Sequence, residues 1–236
     1  MIRYDFHLHS ALSPCGDMDM TPNNIVNMAM LNGLDAIAIS DHNTIGNSAA
    51  AMEVGRQVGV TVVPAMEVAT AEEVHILTLY PTLEAAEFVA KQVYEALPDI
   101  PNQPDIFGQQ TLMNAADEIT GYEEKLLLNA CQLSMEELFR LVTEANGVFI
   151  PAHVDRHSYS VLTNLGFIPD DLDIRWIEVS RRVTDLSAYL DSRPDLAQYR
   201  ILQSSDAHYL EDIAQEGSVL ADGLESLFPH HKESIL

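Results

Sequence analysis

Basic residues are scarce in this chain. Lysine and arginine together number 12 against 36 aspartates and glutamates in 236 residues, a formal net charge of −24. A surface of that sign repels phosphate backbones and anionic membranes, so long nucleic acid is not an expected partner unless metal ions reverse the charge locally. Cysteine is scarcer still. Cys15 and Cys131 have no paired spacing, which argues against a disulfide framework or a CxxC zinc site and suits a reducing cytoplasm. No apolar run approaches the ~20 residues that a membrane span requires. The segment Met1–Phe6 lacks a basic region followed by an apolar one, so neither a membrane protein nor a secreted one is expected. Composition carries no signal for oligomeric state.

Apolar residues, by contrast, make up 47% of the chain and are spread along its whole length, which suits one large domain over residues 1–236. Most of the carboxylates are then solvated surface groups. Residues 2–6 form a short candidate strand, followed by a polar loop over 10–20. A helix follows with Thr21 as N-cap, Pro22 at its first position and Asn32-Gly33 at its end. Strands at 35–40 and 60–64 read as covered on both faces, because neither alternates with polar residues. A helix over 45–58 separates them. From Glu67 to the apolar run 74–80 there are too few residues for a parallel crossover, so a hairpin-like reversal is expected.

A helix over 83–96, capped by Thr82, leads into a proline-rich linker over 97–104. Residues 105–133 read as an inserted element. Its segments 110–114 and 125–131 suggest two strands around a turn containing Gly121, with helix nearly as favoured for either. Ser134-Met-Glu-Glu137 is a capping box ahead of a helix that Gly147 closes. Strands at 148–152, 174–179 and 200–204 complete a set of seven, alternating mostly with helices. That pattern favours an α/β barrel over an open doubly wound sheet.

The chemistry collects at strand ends. Six of the nine histidines, His7, His9, His42, His75, His153 and His208, lie beside a predicted strand terminus. In barrels of parallel strands the carboxyl ends converge on one mouth, and an antiparallel strand starting at His75 would bring it to the same mouth. His-x-His in extended backbone aims both rings to one face, with Leu8 directed into the core. Such a pair alone also arises in satisfied cores. Asp206-x-His208 repeats the spacing with a carboxylate, and Glu67 lies between the two pairs in sequence. Imidazole with carboxylate suits zinc, iron or manganese, whereas an all-oxygen set would suit magnesium or calcium. Asp41 follows a strand and either orients a ligand or acts as an ordinary turn residue.

Taken in order, Asp5-Phe-His7-Leu-His9-Ser, Ser40-Asp41-His42-Asn-Thr44, Glu67, His75, Pro151-Ala-His153 and Ser205-Asp206-Ala-His208 resemble the polymerase-and-histidinol-phosphatase (PHP) superfamily. The resemblance spans residues 2 to about 210. It implies a distorted seven-stranded (β/α)7 barrel, similar to a TIM barrel, that carries two or three divalent ions and hydrolyses phosphoesters. By the same resemblance His7, His9, Glu67 and Asp206 would hold one ion, and Glu67 would bridge to a second on His75 and His153. A third would sit on His42, His208 and a residue of the first loop. Family members use His or Asp at that loop position, and here Asp17 is the better fit, with Asp19 and Cys15 close by. The unpaired Cys15 reads more simply as a packed small residue.

The implied reaction is attack of metal-activated water on a small phosphomonoester or nucleotide. A metal cluster would form a positive spot on an acidic surface and favour a small phosphorylated substrate. Arg156, Arg181 and Arg182 follow strands and could receive the phosphate, although pairing with surface carboxylates explains them as well. Two alternatives remain open: an exonuclease on short oligonucleotides, and a non-catalytic metal-binding module. Amidohydrolase barrels also use His-x-His, but they usually need a metal-bridging lysine or equivalent, and no lysine stands at a strand end here. His230-His231 reads as part of a solvated tail. Trp176 reads as packing.

Overall fold

The computed structural model describes residues 1–215 and 217–229, so His230 and His231 lie outside the described residues. Ten strands are described: β1 (Ile2–Leu8), β2 (Ala36–Ile39), β3 (Thr61–Ala69), β4 (His75–Leu79), β5 (Thr111–Met113), β6 (Ile119–Tyr122), β7 (Val148–Pro151), β8 (Trp176–Glu178), β9 (Arg200–Leu202) and β10 (Ser218–Leu220). Six of them form one sheet in the order β10-β1-β2-β3-β4-β7. β1, β2 and β3 run parallel, and β4 runs antiparallel to both β3 and β7. The reversal expected before His75 is therefore present. It is made at Glu73, whose φ of 57° is left-handed and whose N–H donates to Thr70 O.

The sheet curls. Val154 N donates to Glu178 O, and His9 N donates to Ala207 O, so the parallel pair β8–β9 lies between β7 and β1. The strands do not make the one closed seven-stranded ladder expected: β1, β2, β3, β4 and β7 join β10 in a six-stranded sheet, while β8 and β9 form a separate two-stranded sheet. Isolated hydrogen bonds from loop residues bridge the two, and the result is a curled half-barrel α/β fold.

The apolar strands are explained by burial on both faces. Ala36 and Ala38 face an inner cluster with Phe6, Ala65, Leu77, Ile150 and Leu202. Ile37 and Ile39 face outward onto Ile25, Val26, Ala29, Ala51 and Val54 of two covering helices. Those helices are Pro22–Leu31, capped by the Thr21 side chain, and Ser48–Val58, ended by Gly59 at φ 81°. Helices Leu83–Ala96 and Met135–Glu144 cover the same outward face further along the sheet, over Met66, Ile76 and Phe149, and the second carries the expected Ser134/Glu137 capping box.

The segment 105–133 differs from expectation. Its hairpin pairs β5 with β6, and residues 125–131 form no strand. The turn is made at 114–117, where Asn114 Oδ1 accepts from the amides of Ala116 and Glu118 and Asp117 takes φ 59°. That is asparagine turn chemistry, which substitutes for glycine. Gly121, expected in the turn, lies inside β6.

Candidate metal centre

β1 delivers the first two histidines through an irregularity. Its register against β2 shifts between Asp5 and Leu8, a bulge. Tyr4 and Phe6 pack in the inner cluster, whereas Leu8, of the same parity, packs in the outer one. Bulges re-aim side chains in this way, and here His7 and His9 turn into the mouth, both fully buried. The other candidates arrive from the carboxyl ends of their strands or, for His75, from the start of the reversed β4. His153 and Asp206 sit at φ 32° and 55°. Left-handed backbone costs non-glycine residues about 1–3 kcal/mol, and the surrounding hydrogen bonds hold it here.

Glu67 is the centre. Its Oε1 lies 3.2 Å from His7 Nε2, 3.0 Å from His75 Nδ1 and 3.1 Å from His153 Nε2. Its Oε2 lies 3.2 Å from His42 Nδ1 and 3.5 Å from His9 Nε2. Asp206 Oδ1 lies 3.1 Å from His9 Nε2 and 3.5 Å from His7 Nε2. His208 joins through its ring, stacked on His9 at 4.4 Å. The structure thus brings together eight of the nine expected ligands: His7, His9, His42, Glu67, His75, His153, Asp206 and His208. Among the described residues, donor atoms lie within 4.8 Å of one another in three groups: His7, His9 and Asp206; His42, Glu67 and His75; and His9, Cys15, His42 and His208.

Asp17 does not join them. Its Oδ1 accepts from the Asp19 amide at 2.9 Å, and only its backbone N–H reaches the site, donating to His208 O. The first-loop donor found beside the imidazoles is Cys15, which is exposed at its outer edge and is not the packed small residue expected.

The electrostatics are those of a site prepared for cations. Burial opposes charging of His7, but Glu178, Glu67 and Asp206 outweigh it and hold the imidazole well above its ordinary pKa. Burial and the neighbouring His9 push His42 well below the usual range. The same two causes lower His208 to about 4. Glu67 is held well below the carboxylate range because His75 and His7 overcome its desolvation. Asp206 is likewise lowered, its burial outweighed by His7 and His9. Desolvation of the Cys15 sulfur where it faces the hollow, with the charges of Glu67 and Asp206, pushes the thiol up to about 12 although the residue keeps an exposed edge. His7 Nε2 and His9 Nε2 are buried without a well-formed hydrogen bond. Buried polar atoms rarely stay unpaired, and nitrogens aimed at carboxylates with no bond between them fit coordination of divalent ions. The donor set also fits: imidazole, carboxylate and one thiol suit borderline transition metals.

A layer of hydrogen bonds holds these ligands in place. Glu178, at the end of β8 and buried, accepts from His7 Nδ1 at 2.9 and 3.1 Å and from the His153 amide at 3.1 Å. Asp41 accepts from Ser10 N at 2.7 Å, Ser10 Oγ at 2.6 Å and Ser13 Oγ at 2.7 Å. Ser13 Oγ in turn meets His9 Nδ1 at 3.0 Å. Asp41 therefore stands one hydroxyl away from His9 and pins the first loop. Asp5 accepts from the amides of Ser205 and Ala214 and fixes the loop that carries Asp206. Neither Glu178 nor Ser13 carries a motif in the sequence, and the only cue to Glu178 is an acid closing an otherwise apolar strand.

Two adjoining hollows open onto the cluster. One, of about 260 Å³, is lined by Cys15, His42, Glu67, His75, His153, Asp206 and His208, with Leu128 of the inserted segment and Tyr159 at its rim. Tyr159 stacks on His75 at 4.6 Å. The other, of about 480 Å³, is lined by Arg156, Arg181, Arg182, Ser205, Tyr209 and Asp212 and shares Asp206 and His208 with the first. Arg156 Nη1 lies 2.5 Å from Asp206 Oδ2, while Arg181 and Arg182 are exposed. Among the described residues no helix is long and apolar enough to cross a membrane.

Similar folds have been solved. A candidate metal-dependent phosphoesterase from Bifidobacterium adolescentis superposes with a TM-score of 0.65 at 19% identity, covering 98% of this chain and 97% of its own. The lesion-specific endonuclease PfuEndoQ from Pyrococcus furiosus gives 0.64 at 19% identity over 89% of this chain. This chain spans 49% of that endonuclease, about half its length. An amidohydrolase from Chromobacterium violaceum, with bound sulfate and no metal, gives 0.59 at 18% identity over 89% of each chain. No curated protein matches the sequence. The PHP domain family model matches residues 5–220, from the aspartate before His7 to the last strand, and on that match the chain belongs to the PHP domain family.

Proposed function

We propose that the chain is a metal-dependent phosphoesterase that hydrolyses a small phosphomonoester or nucleotide in the cytoplasm. The observation that carries this reading is Glu67, a buried carboxylate with five imidazoles within 3.5 Å, two of them bearing unbonded Nε2 atoms. His7, His9, Glu67 and Asp206 would hold one ion, with Glu67 shared by a second on His75 and His153, and His42 and His208 would contribute to a third. Bound zinc, iron or manganese supplies Lewis acidity, which lowers the pKa of water and offsets charge on phosphoryl oxygens.

The remaining work falls to this chain's own residues. Arg181 and Arg182, exposed beside the cluster and in no ion pair among the described residues, line the larger hollow and receive the substrate phosphate through their planar forks. Arg156 is engaged by Asp206 and positions that carboxylate until an anion competes for it. Asp41 keeps the first loop folded over the site through Ser10 and Ser13. The chain acts as one domain over 1–236, in which the inserted element at about 105–133 supplies Leu128 to the rim and limits substrate size.

A second reading, nuclease action, has one observation in its favour: the fold of this chain is also that of a lesion-specific endonuclease. The net charge of −24 disfavours it, because strand binders carry basic grooves that follow the backbone. Incubation with manganese, zinc or iron and a panel of mononucleotides, sugar phosphates and short oligonucleotides separates the two. Phosphate release from the monoesters is expected. Arg181→Ala and Arg182→Ala are expected to raise KM, each by roughly tenfold or more, since a hydrogen bond to a charged group is worth about 1.5–3 kcal/mol. Shortened oligonucleotides with no phosphate from any monoester would replace this reading with the nuclease, and no hydrolysis of either would leave a non-catalytic metal-binding module.

A further inference from the structure

The first loop was expected to offer an oxygen donor, and it offers sulfur. We infer that Cys15 is a thiolate ligand of the metal centre, completing with His42 and His208 a third metal position of mixed nitrogen and sulfur character. The inference deepens the reading above and rests on its metal cluster.

Three observations carry it. One donor atom from each of His9, Cys15, His42 and His208 lies within 4.8 Å of all the others. His9, a fully buried residue whose Nε2 has no well-formed hydrogen bond, belongs to that group, and its ring packs 4.6 Å from His42 and 4.4 Å from His208. Finally, the loop is built to present residue 15 and not residue 17. Ser13 N donates to Ser10 O, and Gly16 N donates to Ser13 O, a tight double turn. A Cβ on Gly16 would collide with the backbone oxygen of Ser10, so the chain can pass there only as glycine. The turn holds Cys15 at the hollow, while the Asp17 carboxylate is engaged by the Asp19 amide.

A thiolate changes which ion the position prefers. Thiolate with two imidazoles selects zinc, iron(II) or cobalt(II) over magnesium and manganese, which prefer oxygen. Binding displaces the thiol proton to solvent, so the negative sulfur offsets one charge of the ion. The other cysteine, Cys131, is buried in a separate apolar cluster and does not compete.

The test is cobalt(II) loading of the metal-stripped full chain, read by absorption and by bound cobalt. Wild type is expected to show a thiolate-to-cobalt charge-transfer band in the near ultraviolet beside the visible ligand-field bands. Cys15→Ser should lose that band and the most weakly bound equivalent of cobalt while keeping the rest, and Asp17→Asn should keep both. Ligand-field bands without a charge-transfer band in wild type, or a band that survives in Cys15→Ser, would overturn the thiolate and leave the metal centre standing. Loss of an equivalent in Asp17→Asn but not in Cys15→Ser would return the position to the aspartate. Absence of any bound cobalt would overturn the metal centre itself, and the thiolate with it.

Discussion

Glu178 tests whether the hydrogen bonds behind the ligands govern metal affinity. Its carboxylate is 1% exposed and satisfies two buried donors at once, His7 Nδ1 and the His153 amide. A hydrogen bond to a charged group is worth about 1.5–3 kcal/mol. Glu178→Gln keeps an acceptor oxygen of the same shape and removes the charge, which should lose about half of one such bond, roughly 0.8–1.5 kcal/mol or about four- to twelvefold in affinity. Glu178→Ala removes the acceptor from both donors and frees the His7 ring, a loss of about 3 kcal/mol or roughly a hundredfold. Competition against a chromophoric chelator measures both, with folding checked by near-ultraviolet circular dichroism. Wild-type affinity in both variants would refute the idea that Glu178 tunes the ligand it touches.

Stripping the metal should lower Tm, since each ion present at a hundred times its Kd stabilises by about 2.7 kcal/mol. For a chain of this size that is roughly 5–11 °C per ion, read by calorimetry with and without chelator. Asp41→Asn places an amide donor where Ser10 Oγ donates at 2.6 Å. It should cost about 2 kcal/mol, or roughly 4–8 °C in Tm. Ser134→Ala removes the capping box and should cost about 1 kcal/mol. Hydrogen bonds from Ser134 hold the Glu137 carboxyl below its ordinary range. The stability Glu137 contributes is therefore present above its unfolded pKa and lost as pH falls through the lower folded value. Denaturant midpoints of wild type and Ser134→Ala should accordingly converge on acidification.

Much of the site could be read in the sequence because metal chemistry restricts residue type so strongly. Histidines spaced by two in extended backbone, repeated as Asp206-x-His208 near the far end of the chain, are hard to attribute to packing. The antiparallel course of β4 followed from the few residues between Glu67 and His75. What escaped depended on backbone detail with no compositional mark. The bulge in β1 that turns Leu8 away from Phe6 comes from a register shift, not from a bulge residue such as glycine. Glu178 has no partner nearby in sequence, since it meets His7 across 171 residues. Asp17 fits the family pattern by residue type, but its carboxylate accepts from the Asp19 amide, whereas Cys15 lies in one donor group with His9, His42 and His208. In the inserted hairpin the asparagine turn at 114 took the role expected of Gly121. The closed ladder of seven strands was expected from strand count, but β8 and β9 span only three residues each and meet their neighbours through loops.

The central claim is that clustered divalent ions drive phosphoester hydrolysis at Glu67 and its histidines. The most direct test is elemental analysis of the purified chain by plasma mass spectrometry, paired with phosphate release, for wild type and His7→Ala. The account predicts two or three equivalents of zinc, iron or manganese in wild type, with metal content and turnover falling together in the variant. A protein that holds no metal and stays inactive when manganese or zinc is added would contradict it.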